Sequence, residues 1–309
     1  MSNEIATLAG RAAEYAVASH GAGTARVYRS QWAGWLLWCR AHEVCPLPAD
    51  QAAIAQWLAW RADGGASLAT IRVGLAALKH AHKLADHPLS LGRAASMTLE
   101  GISRKLGSAP GRQARAATVD KIKAMLAATR NVRDKAILLI GFGAGLRRSE
   151  IAALDLADVA VEDRGLLVTV RSSKTDQQGR GEVLAIAGGP PGFDPVAAFM
   201  MWVNARGASP GALFGILIGS GPDRTIARFN GRSIHRIIVA AAERAKLGDG
   251  WSGHSLRAGM ITAAVAAGAS IEDAARQARH TRIETTAGYV RHETAWQNNA
   301  TSAIFGAKR

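Results

Sequence analysis

The stretch GLLVTVRSSKTDQQGRGEVLAIAG, residues 165–188, holds two short apolar runs on either side of a polar turn. Both runs are of strand length and rich in Val, Leu and Ile, and the turn between them carries Gly, Ser and Asp. The segment reads as a hairpin with Lys174 in its turn. Most of the remaining chain has helical spacing, so this hairpin decides the fold class: mainly α with a small antiparallel sheet.

Upstream of the hairpin, TVDKIKAMLAAT (118–129) reads as a helix capped by Thr118, and DKAILLIGFGAG (134–145) as a very apolar helix ended by glycines. After Asp194 the chain reads as helical nearly to its end. The segments are PVAAFMMWVNARG (195–207), RSIHRIIVAAAERAKL (232–247), HSLRAGMITAAVAAG (254–268), SIEDAARQARH (270–280) and TAGYVRH (286–292). This half is therefore expected to hold one small sheet among helices.

The N-terminal part has no strand signal. TARVYRSQWAGWLLWCRA (24–41) reads as a helix capped by Thr24, with Trp32, Trp35 and Trp38 at helical spacing. Trp57 and Trp60 follow in a helix begun by Asp50. Such a stripe is expected to be the packing face of a small bundle, with base stacking as the alternative. SLATIRVGLAALKHAHKLA (67–85) places Leu68, Ile71, Leu75 and Leu78 on one face and Arg72, Lys79, His80 and Lys83 on another, either a solvated face or one laid in a DNA groove. A further helix is expected over 92–105. GSAPGRQARAAT (107–118) then reads as an exposed linker. The expected division is a helical domain over 1–106, a linker over 107–117 and a second domain over 118–309.

Lys and Arg number 38 against 24 Asp and Glu, a formal charge of +14 over 309 residues. That excess favours a polyanionic partner. The basic residues are spread along the chain, with clusters such as RKLGSAPGRQAR (104–115) holding Arg104, Lys105, Arg112 and Arg115, a distribution that suits a nucleic-acid footprint. Cys39 and Cys45 are the only cysteines, too few for a disulfide framework or a thiolate metal site. No apolar run approaches the roughly 18 residues of a membrane span, and the first residues lack a signal pattern. A cytoplasmic protein without membrane attachment is expected.

Several polar residues of the second half suggest chemistry. Arg147, in GLRRSE (145–150), follows the apolar helix and a glycine turn, where its planar fork could clamp two oxygens of one phosphate. His254 and Arg257 are three apart, so on a helix they share a face. Lys174 sits in the hairpin turn, and Tyr289 lies nine residues after His280. Each signal alone is weak. The order Arg, Lys, His-x-x-Arg, His, Tyr within one domain is far more specific.

In GLRRSEIAAL (145–154), SSKTD (172–176), GHSLRAG (253–259) and HTRIETTAGYVRH (280–292), the second domain resembles the catalytic domain of the tyrosine recombinases, the phage integrase family. The preceding bundle is similar to that family's SAM-like core-binding domain, and the chain is similar to the two-domain members of the Cre type, with no sign of an arm-binding domain before residue 20. The resemblance implies that Arg147 and Arg257 bind the scissile phosphate and that Tyr289 is the nucleophile. It implies that Lys174 protonates the leaving 5′ oxygen, that His254 assists proton removal, that His280 hydrogen-bonds the phosphate and that Glu150 supports the site. Arg279 stands where the family usually has Gly, whose role is to relieve a positive-φ turn after a helix.

What the resemblance implies is a site-specific recombinase that acts on double-stranded DNA at an inverted-repeat target, in a bacterial cytoplasm at the nucleoid. It would proceed through a 3′-phosphotyrosine and a Holliday junction, as a tetramer on DNA, without ATP or metal and with accessory proteins left open. A phenol, with a pKa of about 10, suits both attack and departure. ETAWQNNATSAIF (293–305), apolar at Trp296, Ile304 and Phe305, would be a helix exchanged between subunits. A type IB topoisomerase-like enzyme and a catalytically inert DNA-binding relative are the other readings.

Overall fold

The computed structural model describes residues 21–107, 114–171, 181–220 and 224–290. The chain divides into two compact units, Met1–Gly111 and Arg112–Arg309.

The first unit contains α1 (Ala22–Ala41), α2 (Gln51–Asp63), α3 (Leu68–Leu84) and α4 (Arg93–Leu106). Asp50 caps α2 by accepting from the backbone N–H groups of Ala52 and Ala53, and the Ser67 hydroxyl accepts from Thr70 N–H at the start of α3. At α1 the cap differs from expectation: Gly21 holds that position and Thr24 lies within the first turn. Trp35, Trp38 and Trp57 are buried with Ile54, Leu58, Ile71 and Leu78, and Leu75 joins the same core. The Trp35 and Trp38 rings stack at 5.3 Å, Trp57 meets Trp35 edge-on at 5.6 Å, and Trp35 Nε1 donates to Pro46 O at 3.0 Å. Trp60 departs from the expected stripe and is 53% exposed. The buried positions of α2 are Ala53, Ile54, Trp57 and Leu58, and Trp60 lies about 90° around the helix from their centre. Alanines on every side of α2 leave its apolar pattern with little direction.

The second unit is built on α6 (Val132–Gly143), in which Ile137, Leu138, Leu139 and Ile140 are all buried. Before it lies α5 (Val119–Ala127) and after it the short α7 (Arg148–Ala153). A 3₁₀ turn (Leu156–Asp158) leads into β1 (Val159–Glu162), β2 (Gly165–Val170) and β3 (Glu182–Ala187), an antiparallel sheet in that order. Leu166 pairs with Ile186 and Val168 with Leu184, so alternate residues of both strands enter the core beside α6. The remaining elements are α8 (Pro195–Arg206), β4 (Gly215–Ile218), β5 (Thr225–Arg228), α9 (Gly231–Arg244), α10 (Ser255–Ala266), α11 (Ile271–Ala278) and α12 (Ile283–Val290).

The β4–β5 pair corrects the expectation of a single sheet in this half. Its strands are four residues each, too short for periodicity to separate strand from helix. No described helix is long and apolar enough to cross a membrane.

Candidate active site

Arg147 is presented by the turn between α6 and α7. Gly145 occupies the left-handed region at φ 55°, which suits glycine, and a Cβ there would displace only the flexible end of Met260, whose Cε lies 2.4 Å away. Arg147 then becomes the N-cap of α7. Glu150, three residues on and buried, accepts from the Arg147 backbone N–H through Oε2 at 2.7 Å and from its Nη1 through Oε1 at 2.7 Å. The guanidinium and the helix start are thus held by one carboxylate.

Arg257 comes from the first turn of α10 and is 2% exposed. Its Nη1 donates to Gly145 O at 2.9 Å and its Nε to His280 Nε2 at 3.2 Å. Nη2 is buried with no hydrogen-bond partner in the described protein. Burial, followed by the charge of Arg147, pushes the Arg257 pKa down to about 10, which leaves it cationic at neutral pH.

His280 follows the C-terminus of α11. Because Arg257 Nε carries a proton, His280 Nε2 accepts, and Nδ1–H therefore donates to Thr286 Oγ1 at 2.8 Å. Both ring nitrogens are engaged with the protein. Burial, with the charges of Arg257, Arg147 and Arg279, pushes the His280 pKa down to about 4. The ring lies 6.0 Å from that of Tyr289, at 18° to it. Tyr289 projects from α12, half-buried against Met260, Ile261, Ala274 and Ala278.

Arg279 keeps the left-handed conformation expected at this turn, at φ 54°, ψ 50°, although it is not glycine. Its buried Nη2 donates to Glu150 Oε2 at 2.6 Å, and its Nε lies 3.6 Å from Glu182 Oε2. Glu150 is an anion between two arginines: burial would raise its pKa, but Arg279 and Arg147 outweigh that and hold it below the usual range.

His254 is the N-cap of α10 and is exposed, whereas Arg257 turns inward, so the two diverge from the shared face read from their spacing. The loop bearing His254 is braced from behind. Gly253 N–H donates to His235 Nδ1 at 3.1 Å, and a Cβ on Gly253 would meet Arg148 Cδ at 2.6 Å. Neither His235 nor Arg148 was singled out from the sequence, since no spacing links them to the loop. Lys174, Arg112, Trp296, Ile304 and Phe305 lie outside the described residues.

Among the other basic candidates, Arg72, Lys79, Lys83, Arg104 and Lys105 are exposed and His80 is half-buried. Arg115 is exposed but tied to its own unit, its Nη1 donating to Leu247 O at 2.8 Å and Asp249 O at 3.1 Å. Among the described residues, no group of three His, Cys, Asp or Glu is placed to hold a metal ion.

Comparison with known proteins identifies the family. The model of the phage integrase family matches residues 115–295. An integrase/recombinase XerD homolog of Selenomonas ruminantium is 24% identical over 294 residues, covering 91% of this chain and 85% of the relative. The Cre recombinase of Escherichia phage P1 is 24% identical over 282 residues, with 84% and 80% covered. In fold, the chain is similar to lambda integrase in a dimer bound to a COC′ core site (TM-score 0.62, 15% identity, 87% and 89% covered). It is also similar to lambda integrase in a tetramer bound to a Holliday junction (TM-score 0.61, 16% identity, 90% and 74% covered). With more than half of its length matched by the family model, the chain belongs to the phage integrase family, the tyrosine recombinases, enzymes of site-specific DNA recombination.

Proposed function

We propose that this chain cuts and rejoins DNA through Tyr289, with the scissile phosphate held by Arg147 and Arg257. The phenol oxygen attacks phosphorus, the bond from phosphorus to the 5′ oxygen breaks, and a 3′-phosphotyrosine forms. His254 takes up the phenolic proton and Lys174 supplies one to the departing 5′ oxygen. Attack by the 5′ hydroxyl of a second strand restores the phenol and joins the strands, and two such exchanges pass through a Holliday junction. Each attack replaces one phosphodiester by another, so no ATP is consumed.

The observation that carries this reading is convergence. Arg147, Arg257, His280 and Tyr289 come from separate elements, yet Arg257 touches the turn before Arg147 and the ring of His280, and that ring lies against Tyr289. The partnerless Nη2 of Arg257 is a donor for an anion, and the two guanidinium groups stabilise the negative charge that develops on the non-bridging phosphate oxygens. His280 serves chiefly to orient Arg257. A phosphate hydrogen bond from its ring requires exchange of Arg257 or Thr286 as partner.

The helical unit, with Arg72, Lys79 and Lys83 exposed along α3 and Arg104 and Lys105 near the end of α4, supplies further contacts to the same duplex. On the pattern of the lambda integrase dimer and tetramer, two protomers occupy an inverted repeat and four form the synaptic assembly. In this reading residues 1–106 are the core-binding domain, 107–117 the linker and 118–309 the catalytic domain.

The test begins with DNA recovered by the protein from a random-sequence pool, rebuilt as a duplex nicked near the cleavage point. A denaturation-resistant protein–DNA adduct, absent in Tyr289→Phe, is expected. No adduct overturns the reading, and relaxation of plasmids lacking the target would point to a topoisomerase instead.

A further inference from the structure

We propose that Arg279 is a positioning residue: through Glu150 it holds the Arg147 guanidinium, and through its own backbone the His280 ring, in one frame. The inference rests on the recombinase reading above.

Four non-glycine residues among those described have positive φ: Glu43, Asp86, Lys246 and Arg279. The first three are exposed, whereas the Arg279 side chain is 3% exposed. A left-handed backbone is unfavourable for arginine, and burial of its guanidinium is unfavourable as well. Both are tolerated at one residue because the side chain is gripped. Nη2 donates to Glu150 Oε2 at 2.6 Å, the same oxygen that accepts from Arg147 N–H, while the other carboxylate oxygen receives Arg147 Nη1. Removal of Arg279 leaves the buried carboxylate with Arg147 alone.

The same residue sets His280. In the turn after α11, Arg279 N–H donates to Arg276 O and His280 N–H to Ala275 O, a reversal that requires a left-handed residue at 279. Gln277 Nε2 ties this turn to Gly143 O and Ala185 O, both at 3.0 Å. Arg279 therefore links the turn that presents His280 to the helix start that presents Arg147. Being buried, it does not touch the phosphate.

Glycine at 279 keeps the backbone and deletes the grip, which separates the two roles. Single-turnover cleavage of the nicked duplex, DNA affinity and thermal unfolding are measured for the wild type, Arg279→Gly, Arg279→Asn and Arg279→Lys. Glycine and asparagine both accept the left-handed turn, so if one variant fails to fold the other is read in its place.

At saturating DNA we expect cleavage at least tenfold slower in Gly and Asn, with affinity within threefold of the wild type and partial recovery in Lys. The acid limb of the rate profile should move to higher pH in the Gly variant. Among the described residues, Arg147 and Arg279 hold the Glu150 carboxylate, Arg257 acts on it, Asp158 and Arg171 line the same small cavity and Glu182 stands by Arg279, and loss of Arg279 eases protonation of the carboxylate that holds Arg147. Wild-type cleavage rate and pH profile in the Gly or Asn variant overturn the proposal. So does a slow rate that recovers fully at higher DNA concentration. Absence of an adduct in the wild type itself overturns the recombinase reading, whereas an adduct formed equally by wild type and variants overturns only the role of Arg279.

Discussion

Arg257 Nε and His280 Nε2 face each other at 3.2 Å, although 23 residues separate them in the chain. The contact assigns the imidazole as the acceptor and leaves the Nη2 group of Arg257, with its two N–H bonds, buried and without a partner in the described protein.

His280 should therefore remain neutral well below the ordinary histidine range. Its folded pKa of about 4 lies below the ordinary histidine value of 6.5, so between these limits the unfolded chain binds the proton and the native one does not. Its contribution to stability is intact above pH 6.5 and declines as pH falls toward 4. Imidazole NMR shifts should show neutral His280 at about pH 5.5, about one pH unit below a free histidine's midpoint. A midpoint near 6.5 contradicts the assignment.

Arg147→Ala and Arg257→Ala should each lower cleavage by about 10²-fold or more, the magnitude associated with loss of one transition-state donor. Affinity should change by only a few fold, since other basic residues hold the duplex. Arg257→Ala should also lower the unfolding temperature, because it strips Gly145 O and His280 of a buried partner. Gel shift and adduct formation on the same duplex separate the effects. Loss of binding with chemistry intact in the residual complex would reassign that arginine.

Glu150→Gln removes the anion shared by Arg147 and Arg279 while nearly preserving shape. Breaking a buried ion pair by loss of one partner is destabilising by about 3–5 kcal/mol, and two guanidinium groups are affected here. Urea denaturation should show a clear fall in midpoint. The stability from Glu150 is present above the usual carboxylate pKa and is lost as pH falls through its depressed native value, so the wild type–variant difference should shrink in acid.

In the first unit, Trp57→Ala should destabilise by about 3–5 kcal/mol and Trp60→Ala by well under 1. Trp57 is fully buried, while Trp60 is 53% exposed on the same helix. Comparable losses from the two substitutions would contradict the described packing of α2.

The strand pair at 165–170 and 182–187, the apolar helix ending in glycines and most helix spans were legible because they depend on local periodicity and capping. The β4–β5 pair was not, for a strand of four residues has no period of its own. Trp60 was misplaced because an alanine-rich helix shows two candidate faces, and only its neighbours select one.

The site divides in the same way. The sequence by itself determined the order of chemical groups, Arg147, Lys174, His254, Arg257, His280 and Tyr289, and that order sufficed to assign the family. Only the tertiary structure decided how the described members meet. It turned Arg257 inward and left His254 exposed at the cap, placed His235 behind the loop, and brought Arg279 to Glu150 across 129 residues. An arginine in sequence reads as surface charge. Its burial becomes favourable only where the fold supplies acceptors within reach, Gly145 O and His280 for Arg257 and the Glu150 carboxylate for Arg279, and the latter pairing is set by the packing of α7 and α11 in three dimensions rather than by any local pattern.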